Sequence, residues 1–477
     1  VICGVACVPG VQTYLRWDYG GVVPQPRVAW VRAGRKVSAW NATFEWYIWN
    51  WVLRRQWPGL PELRVEQLID TMAVAANNGL PLGLDSAAEA MPKLGLRKDK
   101  VGHALMLRMS RPRDRTKNSW WHETDPERLD KLLDYCAQDV RVERKILGAL
   151  VPMSATERRV WELDFKIGHR GMVFDEDLAV RMEKIAKRET SRLDAEMRRV
   201  TGGDVRSTRA VTQLLRWAQK AEPEIASLAK DQLARWIETL GDGPLRDALL
   251  LRQEAAKSSV AKVQAMRNYV CRDGRMRFLT QYYGAFRTGR WAGRGPQLQN
   301  YPRSMVKDQD ALVRYILADG DEDGFQMFFG VDPMAGLSSA LRGCITVPKG
   351  KVFGAIDFSQ IEARVGPWLA EDRAKLEVFR SGRDVYVWAA AGIYGVSPKD
   401  VSVDQRQIGK VSELALQFGG GKGAFQSMAK IYGLDVSDED AEDIKVAWRG
   451  DNKRIVGLWY GLEGAALEAI RNPGEEV

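Results

Sequence analysis

The hydrophobic pattern of this 477-residue chain changes near residue 150, and this change constrains the fold most strongly. Up to about Leu150, short strand-like runs such as VICGVACV alternate with helical stretches such as PERLDKLLDYCAQDVRVERKILGAL. From Ser154 to roughly Arg272, apolar residues recur at helical spacing almost without interruption. Because one core rarely serves more than about 250 to 300 residues, we expect two to four domains, with an α/β domain first and a helical region after it.

The pattern changes twice more toward the C-terminus. Around CRDGRMRFLTQYYGAF the period shortens toward two, which predicts strands. The apolar run GKVFGAIDF predicts a buried strand that ends at Asp357, followed by a helix that begins at Ser359. The residues of this helix predicted to face the core are Ile361, Val365, Trp368 and Leu369. After Pro398 the pattern is helical again, with a break at Gly419, Gly420 and Gly421.

Composition narrows the choice of partners. Lys and Arg number 71 against 62 Asp and Glu, and the net charge of +9 suits a polyanionic partner without proving one. No apolar run approaches the roughly 18 residues of a membrane span, so we expect no membrane partner. The 5 cysteines are odd in number and lie in no metal-ligand pattern, which indicates a reducing cytoplasm.

The segment DFSQIEAR contains a carboxylate and a possible helix cap. Ser359 and Glu362 have the spacing of a capping box, and spacing alone favours that structural role. The order of residues, however, resembles motif A of family A DNA polymerases, the group that includes bacterial DNA polymerase I. The resemblance implies that Asp357 binds the catalytic metal ions and that Glu362 crowds the sugar 2′ position of the incoming nucleotide. Ser359 and Gln360 are expected to border the same nucleotide.

A second motif lies about fifty residues further on, in DQRQIGKVSELALQFGGGKGAF. Here Arg406, Lys410, Leu414 and Phe418 recur every four residues, and at ~1.5 Å per residue this stripe would span ~18 Å, the length of a dNTP. An isolated pair of this kind is usually a solvated basic patch. This pattern resembles family A motif B, which implies that Arg406 and Lys410 hold the phosphates. Leu414 and Phe418 depart from the aromatic residue and the tyrosine usual in the family, so discrimination against sugar analogues is left open.

The segment RTGRWAGRGPQLQNYPR has Arg, Gln and Asn between turn residues, a composition suited to contacting DNA phosphates and minor-groove acceptors. It resembles the family A segment that grips the primer-template. Further upstream, KSSVAKVQAM resembles the tip of the thumb. The residues expected to contact DNA are Lys262, Thr288, Arg290, Gln299, Asn300 and Arg364.

Two short patterns in the first region resemble motifs of the DEDD proofreading exonucleases. They are Asn41-Ala-Thr-Phe-Glu45 and Tyr135-Cys-Ala-Gln-Asp139. The resemblance implies that Asp139 and Glu45 bind metal ions and that Tyr135 orients the attacking water, as two-metal hydrolysis requires. Glu45 stands where the family usually has Asp. The first exonuclease motif is expected just before Val1.

Beyond motif B the sequence contains no His-Asp-Glu segment resembling motif C, the second metal-binding motif of the family. Because polymerisation needs both aspartates, we expect the chain to bind DNA and dNTP better than it catalyses. A second polypeptide that supplies motif C and completes the polymerase active site is one expected partner.

These observations predict a multidomain protein with both α/β and all-α domains. The prediction places an RNase-H-like 3′ to 5′ exonuclease domain at 1–150, a helical thumb and connector at 151–275, a palm with motif A at 276–375 and incomplete at its C-terminal side, and helical fingers with motif B at 376–477. The predicted function is Mg²⁺-dependent DNA polymerisation with two ions per active site, dNTP substrates and a primer-template, in the cytoplasm of a host if the gene belongs to a phage. Replisome proteins are further possible partners. Two alternatives remain: a non-catalytic nucleic-acid-binding protein, and an exonuclease whose polymerase half only clamps DNA.

Overall fold

The computed structural model describes residues 3–7, 14–18, 21, 23–95, 100–113, 119, 121, 126–256 and 259–476. The chain divides into two compact units, Val1–Val352 and Phe353–Val477. Both are rich in helices. No helix within the described ranges is long and apolar enough to cross a lipid bilayer.

The described part of the first unit contains nine strands in four small sheets. In chain order they are β1 (Cys3–Ala6), β2 (Leu15–Asp18), β3 (Val37–Ala39), β4 (Leu68–Asp70), β5 (Met172–Phe174), β6 (Arg275–Met276), β7 (Thr280–Ala285), β8 (Arg290–Gly293) and β9 (Ile345–Thr346). β1 pairs with β2 antiparallel, and β3 pairs with β4 parallel. β5 lies between β6 and β9, antiparallel to both, and β7 and β8 form an antiparallel hairpin. The strands predicted in VICGVACV and around CRDGRMRFLTQYYGAF are therefore confirmed.

Helices make up most of the rest of the first unit. Within the described residues they are α1 (Gln25–Arg32), α2 (Ala42–Tyr47), α3 (Arg54–Gln56), α4 (Thr71–Asn77), α5 (Leu84–Glu89), α6 (Lys100–Met109), α7 (Pro126–Ala149), α8 (Ala155–Arg170), α9 (Glu176–Val200), α10 (Val211–Ala221), α11 (Lys230–Thr239), α12 (Pro244–Ala255), α13 (Ser259–Tyr269), α14 (Gln309–Leu317), α15 (Glu322–Phe329) and α16 (Pro333–Ala340). A π-helical turn, Ile48–Leu53, joins α2 to α3. The helical region predicted between residues 154 and 272 is confirmed except at β5, Met172–Phe174, which lies within it.

Caps in the sequence explain where the long helices begin and end. The Ser154 hydroxyl accepts a hydrogen bond from the Glu157 amide at 3.1 Å, and the Asp175 carboxylate accepts one from the Leu178 amide at 2.9 Å. Gly171 ends α8 with φ +67°, and a Cβ at that position would lie 2.4 Å from the Met276 carbonyl oxygen. Glycine is therefore required there for both conformational and steric reasons.

The largest core of the first unit forms around α9. Its buried residues include Leu178, Met182, Ile185 and Leu193, which recur at helical spacing on one face. They pack against α13 to α16 and the β5–β6–β9 sheet. A second, tryptophan-rich core joins Trp46 and Trp49 to α8 and β7.

All regular secondary structure in the described part of the second unit is helical. Its helices are α17 (Ile361–Leu369), α18 (Arg373–Arg380), α19 (Val385–Tyr394), α20 (Val403–Leu416), α21 (Lys422–Ile431), α22 (Asp438–Asp451) and α23 (Lys453–Arg471). Its core includes Val411, Leu416, Phe425 and Trp448. The helices predicted after Pro398 and the break at Gly419 to Gly421 are confirmed.

The strand predicted in GKVFGAIDF is wrong. Residues 351–358 form no helix or strand, and their side chains are exposed, with Val352 at 90% and Ile356 at 99%. A strand needs a neighbour to satisfy its backbone N–H and C=O groups, and the described residues pair no strand with this segment. The apolar composition indicated burial, but it could not show whether a pairing partner is in place.

The predicted start and orientation of the following helix also need correction. α17 begins at Ile361 rather than Ser359, because Gln360 is its N-cap residue with φ +53° and no side-chain cap. The capping box between Ser359 and Glu362 therefore does not form. The buried residues of α17 are Ala363 and Pro367, not the predicted four. Those four are exposed on the opposite side: Ile361 45%, Val365 40%, Trp368 65% and Leu369 56%.

An ion pair lies at the centre of the second unit. The Lys375 ammonium, fully buried, donates hydrogen bonds to Glu413 Oε1 and to Asn452 Oδ1, each at 2.7 Å. Trp448 Nε1 donates to the same Glu413 oxygen at 2.9 Å. The ammonium also lies 5.6 Å from the Trp388 ring centroid and 5.2 Å from that of Trp448. These contacts tie α20, which carries Glu413, to α18, α19 and α22.

We expect Lys375→Met to destabilise the second unit by about 3 to 5 kcal/mol, because it leaves the Glu413 carboxylate buried without its cation. Hydrogen exchange of the α20 and α22 amides measures this loss locally. The control Lys430→Met, at an exposed position on α21, should change protection little.

The double variant Lys375→Met, Glu413→Leu removes both charges together. Replacing a buried pair by apolar side chains of similar size is often neutral or stabilising, so it should recover most of the lost protection. Equal protection in Lys375→Met and the wild type would contradict this role.

Candidate functional site

The motif B residues lie on α20, whose start is fixed by its own sequence. The Ser402 hydroxyl accepts from the Gln405 amide at 3.1 Å, and the Gln405 side chain accepts from the Ser402 amide at 2.9 Å. This reciprocal pair is a capping box. Arg406 and Lys410 therefore follow one turn apart on a helix with a defined first turn.

Arg406 is held in place by two contacts to α19. Its Nε donates to Asp384 Oδ2 at 2.7 Å, and its guanidinium carbon lies 5.5 Å from the Tyr386 ring centroid. Asp384 caps α19 by accepting from the Tyr386 amide at 2.8 Å. Burial acts to raise the pKa of Asp384, but the hydrogen bonds from Arg406 and two backbone amides outweigh it and hold this pKa below its usual value. Asp384 therefore stays ionised, and it fixes the direction of the guanidinium.

Lys410 lies on the same stripe of α20, one turn further on. Its ammonium is 4.6 Å from the ring centroid of Tyr432, the residue at the C-terminal end of α21. Among the described residues no carboxylate lies within ion-pair distance of Lys410. Its charge is thus positioned by an aromatic ring rather than neutralised by an acid.

The start of the motif A helix contacts the same cluster. The Gln360 side chain lies near the Tyr386 hydroxyl, where it acts to lower the pKa of Tyr386 against the effect of burial. Gln417 Nε2, at the end of α20, donates to the Glu362 carbonyl oxygen at 2.5 Å. A Cβ at Gly366 would lie 2.3 Å from the Gln417 side-chain nitrogen, so glycine permits this approach. The structure therefore brings Gln360, Tyr386 and Arg406 together, although they are far apart in sequence.

Other predicted nucleotide-site residues are placed less closely. Asp357 and Ser359 are exposed in the segment before α17, which forms neither helix nor strand. Leu414 is half-buried on α20, whereas Phe418 lies beyond the end of the helix at Leu416 and is 67% exposed. The predicted helical stripe of four residues is therefore one residue too long, because α20 ends at Leu416 in a turn before the glycines.

Asp384, Tyr386, Tyr432 and Gln417 were missed by the sequence analysis. Asp384 has a recognisable signal as a helix cap, followed by an apolar run, but nothing in the spacing links it to Arg406. Tyr432 and Gln417 carry no such signal.

The predicted DNA-contact residues of the first unit form a group around the β7–β8 hairpin. Lys262 donates to the Asn300 carbonyl oxygen at 2.7 Å and lies 5.2 Å from the Tyr301 ring centroid. Burial lowers the pKa of Lys262. The Gln299 side chain packs over Gly293 of β8, where a Cβ would lie 1.9 Å from it.

The remaining three residues of this prediction are on or near the surface. Thr288 donates to the Ala285 carbonyl oxygen at 3.3 Å within the hairpin turn, and Arg290 is exposed at the start of β8. In the second unit, Arg364 donates to the Ser359 carbonyl oxygen at 2.9 Å and lies 4.4 Å from the Phe379 ring centroid.

In the exonuclease-like region, α7 places Tyr135 and Asp139 on one face, as predicted. The Tyr135 hydroxyl donates to the Asp139 carboxylate, and burial together with this bond raises the pKa of Tyr135. Tyr135 is 5% exposed. The pair is therefore a formed contact and not merely a match in spacing.

Glu45 lies among acidic groups that the sequence analysis did not connect with it. Burial raises its pKa to about 8, with the charges of Glu143 and Asp70 acting in the same direction. Burial likewise raises the pKa of Glu143 to about 7 and that of Asp70 to about 6. Thr71 donates to Glu143 at 2.7 Å, and Asp70 accepts from the Asn41, Met72 and Ala73 amides. Arg27 is close enough to offset part of the effect on Glu45.

Neither predicted metal centre is preformed. In the ranges that the structure describes, no three His, Cys, Asp or Glu side chains are arranged to hold a metal ion. Asp357 supplies one exposed carboxylate, which is compatible with Mg²⁺ because this ion takes one or two carboxylates together with substrate phosphate oxygens. Glu45 would first have to lose its proton.

We expect the free energy of unfolding of the first unit to fall as pH rises from about 4.5 to about 8, because the folded state holds protons on Glu45 and Glu143 that the unfolded state releases. Each proton involved contributes about 1.4 kcal/mol per pH unit to this slope. Glu45→Gln should flatten the decline and stabilise the protein at pH 8 but not at pH 4.5.

Hydrogen exchange of the α2 amides across this pH range measures the effect. Glu62→Gln, at an exposed position of the same unit, is the matched control and should leave the slope unchanged. An unchanged slope in Glu45→Gln would contradict the buried, protonated state of Glu45.

Comparison with known proteins identifies the family of the chain. The family model described as DNA polymerase family A matches residues 176–449, more than half of the chain. The DNA polymerase of Bacillus phage SP02 is 38% identical over 411 residues, which are 84% of this chain and 62% of that protein. DNA polymerase I of Pseudomonas aeruginosa is 37% identical over 101 residues, 21% of this chain and 11% of that protein. The chain thus spans less than two thirds of the length of these relatives.

A solved structure shows the same fold. The POL domain of Pol1 from M. smegmatis, in complex with DNA primer-template and dNTP, matches with a TM-score of 0.55 and 18% identity. The match covers 96% of this chain and 70% of that one. The match to the family model over more than half of the chain leads to one conclusion: this chain belongs to DNA polymerase family A.

Proposed function

We propose that the protein is a DNA-directed DNA polymerase that adds dNTPs to a primer strand on a DNA template. The observation that carries this proposal is the contact of Gln360 and Arg406 with the same side chain, Tyr386. It joins motif A to motif B within one compact unit. The phage relative's name and the primer-template and dNTP bound in the similar POL domain support the same activity.

Arg406 and Lys410 would bind the triphosphate of the incoming nucleotide. One helical turn separates them by about 6 Å along the axis, which allows them to contact successive phosphates. Arg406 is 42% exposed on its side chain and is oriented by Asp384, so it can donate to a phosphate while keeping this ion pair. Lys410 has a charge that no described carboxylate neutralises, and an anionic ligand would therefore gain most at this position.

Asp357 would contribute the carboxylate that holds Mg²⁺ against the nucleotide phosphates, with two ions proposed in the complete active site. When bound, such an ion neutralises the negative charge that develops during phosphoryl transfer. Glu362, whose backbone is fixed by Gln417, would border the sugar together with Ser359 and Gln360. Lys262, Thr288, Arg290, Gln299, Asn300 and Arg364 would contact the primer-template.

We expect Lys410→Ala to weaken dNTP binding about 10- to 100-fold, because a charge-assisted phosphate contact contributes about 1.5 to 3 kcal/mol. Titration with a fluorescent dNTP analogue measures the dissociation constant without requiring turnover. Primer-extension rates at saturating primer-template should fall in parallel.

The matched control is Lys430→Ala, an exposed lysine on α21. It should bind dNTP as the wild type does. If both variants lost affinity equally, or neither did, Lys410 would have no specific part in nucleotide binding.

A 3′ to 5′ exonuclease is proposed as a second activity, supported by the hydrogen bond between Tyr135 and Asp139 on α7. Tyr135 would orient a water molecule, and Asp139 and Glu45 would hold the metal ions that activate it. Carboxylate ligands bind metal in the ionised form, and the raised pKa of Glu45 predicts that this activity increases as pH rises toward 8.

We expect Asp139→Ala to abolish Mg²⁺-dependent shortening of single-stranded DNA, measured by gel electrophoresis of a 5′-labelled oligonucleotide. Asp130→Ala, at an exposed position on the same helix, should shorten it at the wild-type rate. Equal rates in the two variants would refute a catalytic part for Asp139.

A further inference from the structure

A cluster of arginines surrounds one tryptophan near the end of α6. The guanidinium carbons of Arg108, Arg113 and Arg128 lie 4.9, 5.6 and 4.9 Å from the Trp121 ring centroid. These residues come from three different segments: α6, the turn after it, and α7. The convergence of three cations on one aromatic ring is therefore a feature of the fold and not of local sequence.

A depression of about 400 Å³ opens beside this ring and is lined by Leu107, Arg108, Arg111, Pro112 and Trp121. The side chains of Arg108, Arg111 and Arg113 are exposed. Within the part of the chain that the structure describes, no carboxylate lies within ion-pair distance of these three. The depression, which we call the Trp121 patch, is thus cationic, partly aromatic and open to solvent.

Packing beneath the ring fixes its position. Trp121 packs against the buried cluster of Met109, Leu132 and Tyr135, which joins α6 to α7. An aromatic side chain anchored in this way loses little further freedom when a ligand stacks on it. The same cluster places the Trp121 patch beside the helix face that carries Tyr135.

We propose that the Trp121 patch binds a single strand of DNA, with arginines on its phosphates and a base stacked against the indole or a guanidinium. Arginine suits both contacts, because its planar group donates to phosphate oxygens and also stacks on aromatic faces. The depression has the volume of a small-ligand site, large enough for one nucleotide. Bases paired in a duplex are not available for stacking, so the geometry favours the single strand.

This proposal is independent of the nucleotide site proposed above. The Trp121 patch lies in the first unit and shares no residue with the Arg406 and Lys410 site of the second. Its occupation requires neither a dNTP nor a metal ion, and its test therefore uses neither.

Photo-crosslinking locates the strand directly. A single-stranded oligonucleotide of about 16 thymidines, with one replaced by 5-iododeoxyuridine, is irradiated with the protein in the absence of Mg²⁺, and the modified peptide is identified by mass spectrometry. Crosslinks should map to the segment containing Trp121 and should persist in Lys410→Ala. Crosslinks found only elsewhere in the chain would overturn the proposal.

The double variant Arg111→Ala, Arg113→Ala tests the phosphate contacts at exposed positions where folding is not at risk. The crosslink yield at Trp121 should fall about tenfold or more, and the salt dependence of this yield should become shallower by a slope of about 1.4, as for two lost single-strand phosphate contacts. Arg209→Ala, Arg216→Ala removes two exposed arginines from the helical region and should leave the yield unchanged. Equal yields in the two double variants would contradict the proposal.

Competition separates stacking from simple attraction of anions. An unlabelled oligonucleotide of thymidines should displace the crosslinking strand at a concentration about tenfold lower than an abasic strand of the same length, since each stacked base contributes about 1 to 3 kcal/mol. Trp121→Leu, which keeps an apolar side chain over Met109 and Leu132, should remove most of this difference. Equal displacement by the abasic strand or by polyglutamate would show an unselective anion surface and would overturn the assignment to DNA.

Discussion

The buried ion pair between Lys375 and Glu413 is the interaction on which the second unit depends. Both side chains are inaccessible to solvent, a state that costs several kcal/mol per charge unless the geometry compensates for it. Here Asn452 and Trp448 supply the additional hydrogen bonds, and two indole rings face the ammonium. Glu413 lies about two turns beyond Arg406 on α20. Anchoring its carboxylate therefore fixes the rotation of the helix, and with it the directions of Arg406 and Lys410.

Aromatic rings orient both cations of the proposed nucleotide site without neutralising Lys410. Arg406 and Gln360 both lie beside Tyr386, so a single side chain links the two motifs. Tyr432 plays a similar part for Lys410. Only Arg406 has a carboxylate partner among the described residues, so a phosphate would meet a partly neutralised charge at Arg406 and a full charge at Lys410. An anionic ligand would therefore gain more binding free energy at Lys410 than at Arg406.

Much of the fold could be predicted from sequence where the signal is local. Ser154, Gly171 and Asp175 mark helix ends by cap chemistry and by the φ that glycine allows, which are signals local to the sequence. The apolar run before Asp357 was misjudged because composition indicates a preference for burial but not the presence of a pairing strand. The orientation of α17 was predicted wrongly for the same reason. Its Ile361, Val365 and Trp368 have helical periodicity, but Ala363 and Pro367 are the residues that pack.

The residues of the candidate site also divide into those that local sequence could reveal and those that it could not. Arg406 and Lys410 could be found because their spacing on one helix is itself the signal. Asp384, Tyr386 and the acids around Glu45 could not, because tertiary contacts bring them together across long stretches of chain. The family resemblance supplied the roles of Asp357, Tyr135 and Asp139, and no spacing argument would have done so.

The most direct test is a crystal structure of the protein with a bound non-hydrolysable dNTP, Mg²⁺ and a primer-template. The triphosphate should lie against Arg406 and Lys410, the Asp357 carboxylate should coordinate a metal ion on the same phosphates, and the Arg406–Asp384 pair should be intact. A triphosphate bound away from α20, or an Asp357 side chain directed away from the nucleotide, would contradict this arrangement.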